Sequence, residues 1–205
     1  MSERAIDWQE RYVTGDTPWD SGEPSKELER ILNEGSVRPC RALELGCGTG
    51  TNAVFLAGRG FDMTATDLVP LALDAARQRA EQAGASVRFF EADFFALPDI
   101  GPPFPFVFDR GLYHVLRNVN VVRYCEIVAN LTEPGGLYLT LAGNANEPNP
   151  PEGGPPRVHA HDICQELGSH LELVQLREFR FDGVRVQGRD IRPLAWSALL
   201  RRKRA

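Results

Sequence analysis

A glycine-rich turn preceded by an acidic residue is the most specific chemical feature of this 205-residue chain. The glycines stand at positions 46, 48 and 50, and Glu44 lies two residues before the first of them. A dinucleotide-binding turn of the type G-x-G-x-x-G/A needs a small residue where this chain has Thr51, and a Walker A turn needs Gly-Lys-Ser/Thr. No basic residue occurs from 42 to 58, so a pyrophosphate beside Glu44 would be repelled. The turn therefore favours a ligand that carries positive charge.

Two further acidic positions follow predicted strands and suit the rest of such a ligand. Asp67 lies 67 − 46 = 21 residues after Gly46, where a carboxylate can accept hydrogen bonds from both ribose hydroxyls. Asp93-Phe94 offers an acceptor for an adenine amino group beside an aromatic face. Open α/β sheets bind ligands at the carboxyl ends of their strands, so the three acids together favour S-adenosylmethionine, a sulfonium with an α-ammonium. A structural ion pair for Glu44 and a helix cap for Asp67 are the alternatives.

The elements that hold these residues follow from the hydropathy pattern. Strands are predicted at 41–45, 61–66, 87–91, 106–108 and 137–141, with two late strands at 171–181 and 194–200. Helices are predicted at 51–57, from 70 to about 84, and around the apolar stripe of 121–131. This alternation predicts an α/β fold with a doubly wound parallel sheet, and the two late strands predict an antiparallel hairpin at one edge. Without an internal repeat or linker, residues 1–205 are expected to form a single domain.

The order of these motifs, followed by Pro134-Gly135-Gly136, resembles the class I S-adenosylmethionine-dependent methyltransferases over residues 40–142. The resemblance implies a Rossmann-like, mostly parallel sheet of seven strands with an antiparallel last strand. It also makes 40–142 the cofactor-binding core and 143–205 the part that holds a substrate-side loop and the edge hairpin.

The N-terminal segment, residues 1–24, narrows the resemblance. Trp8, Tyr12 and Trp19 are similar to the entry segment of the thiopurine S-methyltransferases and the halide/thiol methyltransferases, which implies an aromatic lid over the cofactor. Aromatic faces attract a sulfonium and exclude water. An aromatic cluster under an N-terminal arm is the alternative. The expected cofactor contacts are Trp8, Tyr12, Trp19, Glu44, Gly46, Cys47, Gly48, Asp67, Leu68, Asp93, Phe94 and Asp109.

The acceptor side is predicted from the segment after the fourth strand. Asp109-Arg110-Gly111 is similar to the Asp-Arg-Gly of thiopurine methyltransferases, whose arginine faces the substrate. A guanidinium there would favour a thiolate or hold another soft anion. His114, one helical turn further on, is a candidate proton acceptor, and Arg157 is a weaker substrate candidate. A structural ion pair for Arg110 and an ordinary helix-face position for His114 are the alternatives, and no catalytic base is identified.

The hypothesis is therefore methyl transfer from S-adenosylmethionine to a small molecule, with a thiopurine-like thiol, selenide, thiocyanate or a halide as the acceptor. The Asn/Asp-Pro-Pro-Tyr/Phe signature of amino methyltransferases is absent after strand four, which disfavours methylation of an adenine or amide nitrogen. Two alternatives stay open: O- or N-methylation of a small metabolite, and a non-catalytic S-adenosylmethionine-binding regulator. An NAD-dependent oxidoreductase is disfavoured by Thr51.

Composition excludes several classes of partner. The chain has 23 Lys+Arg against 28 Asp+Glu, a net charge of −5, which disfavours nucleic acid. No apolar run approaches the roughly 18 residues of a membrane span and the N-terminus has no secretion signal, so a cytoplasmic protein without membrane contact is expected. The four cysteines form no C-x-x-C pair, and His159 and His161 lack a third ligand, so no metal site is expected. The oligomeric state is left open.

Overall fold

A computed structural model of the chain describes residues 7–150, 156–186 and 189–204. The helices are α1 (Trp8–Thr14), α2 (Lys26–Asn33), α3 (Thr51–Gly58), α4 (Pro70–Gln82), α5 (Leu112–Leu131) and α6 (Ala160–Leu167). The strands are β1 (Arg41–Leu45), β2 (Asp62–Asp67), β3 (Val87–Glu91), β4 (Phe104–Arg110), β5 (Thr132–Asn144), β6 (Arg157–Val158), β7 (Leu171–Arg180), β8 (Val184–Val186), β9 (Arg189–Ile191) and β10 (Leu194–Arg202).

The central sheet has the order β3-β2-β1-β4-β5-β10-β7. Pairing is parallel from β3 to β5, while β10 is antiparallel to both β5 and β7. The predicted α/β class, the mostly parallel sheet and the antiparallel last strand are confirmed. Because the chain runs outward from β1 to β3 and then returns to place β4 on the other side of β1, the strand order reverses between β1 and β4. Such a reversal opens a crevice at the carboxyl ends of the strands, where ligands bind in open α/β sheets.

Helices cover both faces of the parallel strands, which is why these strands are apolar on both sides. On one face, Ala42 of β1 belongs to a core with residues of α2 and α3. On the other face, Leu43 and Leu45 belong to a core with residues of α5 and α6. No helix in the described ranges combines the length and the apolarity that crossing a membrane would demand.

Two regions differ from the prediction, and both border the crevice. The helix expected from 121 begins at Leu112, and Asn120 interrupts it with a non-helical backbone (φ −161°, ψ 91°). The Asn120 side chain accepts the N–H of Arg123 at 3.0 Å and so starts the second helical segment. The predicted turn at Asp182-Gly183 leads first into the short β8–β9 pair and only then into β10.

Candidate active site

A cavity of about 380 Å³ lies at the carboxyl ends of the strands around the reversal point. Its lining combines the N-terminal segment, the glycine turn, the ends of β2 and β4, the start of α5, and the segment after β7. The cavity brings together most of the residues predicted to act: Trp8, Tyr12, Trp19, Glu44, Gly46, Cys47, Gly48, Asp67, Leu68, Asp93, Phe94, Arg110 and His114.

The glycine turn is shaped by two close approaches. At Gly48 (φ +55°), an added Cβ would lie 2.8 Å from the hydroxyl oxygen of Tyr12 in α1. At Gly50 (φ +75°), it would lie 2.7 Å from the Cβ of Ala76 in α4. Any larger residue would push these elements away, since real Cβ contacts are not this short and L-residues avoid positive φ. The turn therefore needs glycine for its own backbone and for the packing of α1 and α4 against it.

Glu44 supplies a buried carboxylate with one unused oxygen. The residue is only 1% exposed, and its Oε1 accepts a hydrogen bond from Nδ2 of Asn52 at 3.2 Å. Its Oε2 is buried without a hydrogen-bond partner among the described residues. Burial, with a smaller contribution from the Asp67 charge, raises the pKa of Glu44 to about 8, while the Asn52 amide, the backbone N–H of Ala53 and the Arg110 charge oppose that shift. An unpartnered buried acceptor costs free energy, so this oxygen fits a ligand that brings a cationic N–H donor such as an ammonium.

Asn52 is a functional position that the sequence reasoning missed. Its Oδ1 accepts the backbone N–H of Ser25 at 2.9 Å while its amide donates to Glu44. One buried amide thus fixes the carboxylate and the start of α2 together. Ser25 stands at the N-cap of α2, and its side chain makes no capping bond.

Asp67 is held by the backbone on both sides. Oδ2 accepts the N–H of Gly48 at 2.7 Å, and Oδ1 accepts the N–H of Val69 at 3.0 Å. Each oxygen retains a second lone pair, so the carboxylate can still accept from hydroxyl groups in the cavity. Because Val69 is the N-cap of α4, Asp67 holds the backbone at the start of this helix and still leaves lone pairs open to the cavity. Burial raises the pKa of Asp67, and the backbone N–H groups of Val69, Gly48 and Leu68 oppose that shift.

Asp93 and Phe94 lie at the far end of the cavity. Oδ1 of Asp93 accepts the N–H of Phe95 at 2.8 Å, and the residue is otherwise exposed. The Phe94 ring is buried and stacks on Tyr124 of α5, with ring centroids 4.7 Å apart. The pair therefore presents an exposed carboxylate beside a rigid aromatic ring.

The aromatic residues of the N-terminal segment form one cluster over the cavity. The Trp19 ring lies edge-on to Trp8 (centroids 5.6 Å apart) and to Tyr12 (6.2 Å), and the Arg11 guanidinium lies 4.5 Å from its centroid. Burial and the nearby Asp67 charge raise the pKa of Tyr12 well above its usual range, so its hydroxyl stays neutral.

Polar contacts fasten this segment to the glycine turn. The Thr49 hydroxyl donates to Asp20 at 2.8 Å. Arg79 of α4 donates to the carbonyl of Thr49 at 3.0 Å and to that of Gly22 at 3.3 Å. Arg79 is a second position that the sequence reasoning missed, because a helix residue 30 positions from its partner gives no local signal.

Arg110 lines the cavity and joins its own strand end to two distant segments. Its guanidinium donates to the carbonyls of Trp19 (2.9 Å) and Asp182 (3.1 Å) and stacks on Phe181, 5.0 Å from the ring centroid. None of the described carboxylates lies within ion-pair distance of it. Burial lowers the pKa of Arg110, while Asp20, Glu44 and Asp182 act on it at longer range, and a guanidinium stays charged throughout. The remaining N–H donors fit an anion in the cavity.

His114 stands beside Arg110 with a different character from the one expected. Its Nδ1 accepts the backbone N–H of Gly143 at 2.9 Å, and the ring is 5% exposed. Burial, with repulsion from Arg110, lowers the pKa of His114 to about 3. This arrangement argues against the proton-acceptor role that the sequence suggested.

Cys47 and Leu68 complete the wall nearest the glycine turn. Burial and the charges of Glu44 and Asp67 raise the pKa of the Cys47 thiol well above its usual value, so it stays protonated. Leu68 is 52% exposed at the mouth of the cavity.

Two predicted residues lie outside the cavity lining. Asp109 is fully buried behind it, where Oδ1 accepts the N–H groups of Leu112 (2.9 Å) and Tyr113 (3.1 Å) and Oδ2 accepts the Tyr138 hydroxyl. This carboxylate caps α5 and fixes the backbone next to the cavity instead of facing a cofactor. Arg157 is exposed on β6.

Comparison with known proteins places the chain among methyltransferases. Residues 3–192 match the family model described as Thiopurine S-methyltransferase (TPMT). The probable thiol methyltransferase 2 of Arabidopsis thaliana is 26% identical over 151 residues, covering 73% of this chain and 65% of that protein. The 2-heptyl-1-hydroxyquinolin-4(1H)-one methyltransferase of Mycobacteroides abscessus is 27% identical over 154 residues, covering 75% of this chain and 67% of that protein. The matches thus span about two thirds of these relatives.

A solved structure shares the fold closely. It comes from work on the conversion of a disulfide bond into a thioacetal group during echinomycin biosynthesis. It superposes with a TM-score of 0.81 at 23% identity, covering 94% of this chain and 89% of that chain. The Rossmann-like architecture predicted from the sequence is therefore confirmed.

Proposed function

The chain belongs to the thiopurine S-methyltransferase family, and we propose that it methylates a small molecule that presents a thiol or another soft anion. Membership of this family makes S-adenosylmethionine its cofactor, which when bound supplies an electrophilic methyl group on a sulfonium. The identity of the methyl acceptor, a thiol or another soft anion, is what we propose beyond family membership.

One observation carries the proposal: the lining of a single cavity includes both Glu44, with a carboxyl oxygen that lacks a hydrogen-bond partner among the described residues, and Arg110, whose guanidinium has no described carboxylate in contact. The two groups act on each other electrostatically. The surroundings of Glu44 are called the Glu44 end, or cofactor end, and those of Arg110 the Arg110 end, or acceptor end. A cationic cofactor suits the Glu44 end, and an anionic acceptor suits the Arg110 end. A buried polar group is costly without a partner, so the Glu44 carboxyl favours a ligand with a cationic donor, beside which it ionises, and the Arg110 guanidinium favours an anion.

The residues at the cofactor end have separate tasks in this proposal. Glu44 accepts from the ammonium, Asp67 from the ribose hydroxyls, and Asp93 from the adenine amino group beside Phe94. The aromatic cluster covers the ligand and excludes water, which strengthens the electrostatic contacts beneath it.

At the acceptor end, Arg110 holds the anion and stabilises its ionised form. Displacement at carbon depends mainly on alignment of the nucleophile and on a dry site, so a positioned charge can supply much of the rate. Phe181 stacks on Arg110, and other apolar side chains of the same lining are Leu112, Val115, Leu116 and Val184.

The proposal is tested by incubating the protein with S-adenosylmethionine and a panel of thiophenol, a heteroaromatic thiol, selenide, iodide, thiocyanate, a phenol and an amine. Released S-adenosylhomocysteine is measured for each. Turnover with the thiols or soft anions and none with the amine is expected. Turnover with the amine alone would overturn the proposal, and tight cofactor binding without turnover on any acceptor would favour a regulator.

Methylation of an ionised hydroxyl group on an apolar ring is the second candidate. The relative from Mycobacteroides abscessus is named for a substrate with an N-hydroxyl on a quinolone ring. The apolar side chains of the cavity lining are consistent with such an acceptor. Adding a 1-hydroxyquinolone to the panel separates the two candidates.

The proposed setting is the cytoplasm, with no nucleic acid or membrane as partner. All four cysteines are free thiols, as suits a reducing compartment.

A further inference from the structure

Resting on the proposed function, we propose that the acceptor enters the site already as an anion and that His114 receives it as a neutral hydrogen-bond donor beside Arg110. His114 would then be a positioning and selectivity residue, and the chain would use no general base for the acceptor.

The orientation of the His114 ring determines which of its nitrogens holds the hydrogen. The N–H of Gly143 points at Nδ1, so Nδ1 is an acceptor and the neutral ring carries its hydrogen on Nε2. Nε2 has no hydrogen-bond partner among the described residues, and it lies 3.4 Å from the position that a Cβ of Gly111 would take. Gly111 and His114 both line the cavity. The hydrogen on Nε2 is therefore the donor that remains for a ligand.

The charges around His114 keep its ring neutral. Arg110 is its charged neighbour and disfavours a second positive charge. The acidic groups acting on that guanidinium are Asp20 from the N-terminal segment, Glu44 from β1 and Asp182 after β7. Burial and Arg110 together lower the pKa of His114 to about 3, so the ring stays neutral at any physiological pH. A neutral imidazole can donate a hydrogen bond to an anion. With so low a pKa, it cannot accept and hold the proton of the methyl acceptor.

The other titratable groups of the lining have different surroundings. Asp20 accepts from Thr49, Asp67 accepts two backbone N–H groups and is assigned to the cofactor ribose, and Glu23 and Asp93 are exposed. Burial raises the pKa of Tyr12 and of the Cys47 thiol, which keeps both protonated. Glu44 is assigned to the cofactor ammonium. None of these groups is poised to take the proton of an acceptor held at Arg110.

The acceptor class follows from these two donors and the apolar side chains of the lining. It is an apolar molecule, typically heteroaromatic, whose thiol or N-hydroxyl ionises near neutral pH without help. Its proton goes to solvent before binding. The lone pair of the anion forms the new bond to the methyl carbon, and the pair of the broken carbon–sulfur bond stays on sulfur. Anion and sulfonium thus give two neutral products, and no proton passes to the chain.

The first test uses the unmodified protein with saturating cofactor and a series of heteroaromatic thiols of graded acidity. We measure kcat/KM from about pH 5 to 9 and compare its rising inflection with the solution pKa of each thiol. The inflection should move with the acceptor. A common inflection for every thiol would reveal an enzyme base and overturn the inference. If neither the thiols nor selenide, iodide or thiocyanate is methylated, the proposed function itself fails.

The second test uses a matched pair of variants. His114→Gln retains an N–H donor near the position of Nε2, whereas His114→Asn retains an acceptor near Nδ1 and loses the donor. His114→Asn should lower kcat/KM about tenfold at unchanged cofactor affinity, and His114→Gln should recover most of it. Equal loss in both variants would overturn the inference.

A readout without turnover completes the test. The ultraviolet absorbance of a heteroaromatic thiol, titrated in the complex with S-adenosylhomocysteine, reports the ionised fraction of the bound thiol. Ionisation at lower pH than in solution is expected for the unmodified protein and His114→Gln, with a smaller shift for His114→Asn. A shift unaffected by His114→Asn would overturn the inference, and if a variant fails to fold, the pH series on the unmodified protein decides alone.

Discussion

The two ends of the cavity are built in different ways. At the proposed cofactor end, Asp67 is fixed by backbone N–H groups 19 and 2 residues away, from the glycine turn and the start of α4. At the proposed acceptor end, Arg110 is fixed by carbonyls 91 and 72 residues away, and His114 by an amide 29 residues away. The position of Asp67 therefore depends on backbone that is nearer in sequence than the backbone that fixes Arg110.

The charges of the two ends differ as well. The cofactor end concentrates carboxylates, including one oxygen of Glu44 that lacks a partner among the described residues. The acceptor end has a guanidinium stacked on Phe181. A cofactor that is the same for many enzymes can be bound by one recurring motif. Acceptors differ from enzyme to enzyme, and they are bound by side chains on loops, which vary more than the strands and helices. Substitutions should thus separate cofactor affinity from acceptor turnover.

Arg110→Ala should give the largest separation. Removing a buried charge that holds an anion should lower kcat/KM for a thiol about a hundredfold or more, with the affinity for S-adenosylhomocysteine nearly unchanged. Steady-state kinetics and calorimetry measure the two quantities. Arg157→Ala is the matched control, since an exposed arginine outside the lining should change either quantity less than about twofold. Equal losses of turnover and cofactor affinity in Arg110→Ala would erase the distinction between the ends.

Asp67→Ala should have the opposite profile and a somewhat smaller effect. Loss of charged hydrogen bonds should weaken S-adenosylhomocysteine binding about 10- to 100-fold, with little effect on turnover at saturating cofactor. Asp67→Asn, which keeps one oxygen acceptor, should have an affinity for S-adenosylhomocysteine between those of the unmodified protein and Asp67→Ala. Calorimetry gives the affinities, and an unchanged value for Asp67→Ala would remove this residue from the cofactor site.

Trp8→Ala should have the smallest effect of the three. The edge-on contact between Trp8 and Trp19 contributes to the aromatic cluster, and losing such a contact should weaken cofactor binding about 2- to 10-fold. Tyr12→Phe, which keeps its ring, is the control and should bind almost normally. A Trp8→Ala protein with normal cofactor affinity and impaired acceptor turnover would reassign the cluster to the acceptor end.

The same contrast explains what the sequence could predict. Glu44, Asp67 and the glycines are recognisable because each lies at or just after the end of a predicted strand, and parallel strands end at the same edge of the sheet. Asp109 also lies near the carboxyl end of a strand. Its side chain, however, accepts the N–H groups that begin α5, and the spacing of residues in the sequence does not show this.

The parts that escaped prediction depend on contacts between distant residues. Asn52 and Arg79 act through partners in other segments, so neither has a local signature. The first half of α5 was missed because the break at Asn120 interrupts its helical periodicity. The proposed donor role of His114 depends on Gly143, whose backbone amide in β5 no sequence pattern connects to it.

The central claim, that the Glu44 end binds the cationic part of the cofactor, is tested most directly by proton release. The pKa of Glu44 is raised to about 8, so the ligand-free carboxyl is mostly protonated at pH 7. An ammonium beside it favours the carboxylate, and the proton must leave. Calorimetry of S-adenosylhomocysteine binding at pH 7, in buffers of different ionisation enthalpy, should show close to one proton released. Glu44→Gln should bind more weakly and release none. Binding without proton release, together with equal affinity in Glu44→Gln, would contradict the account.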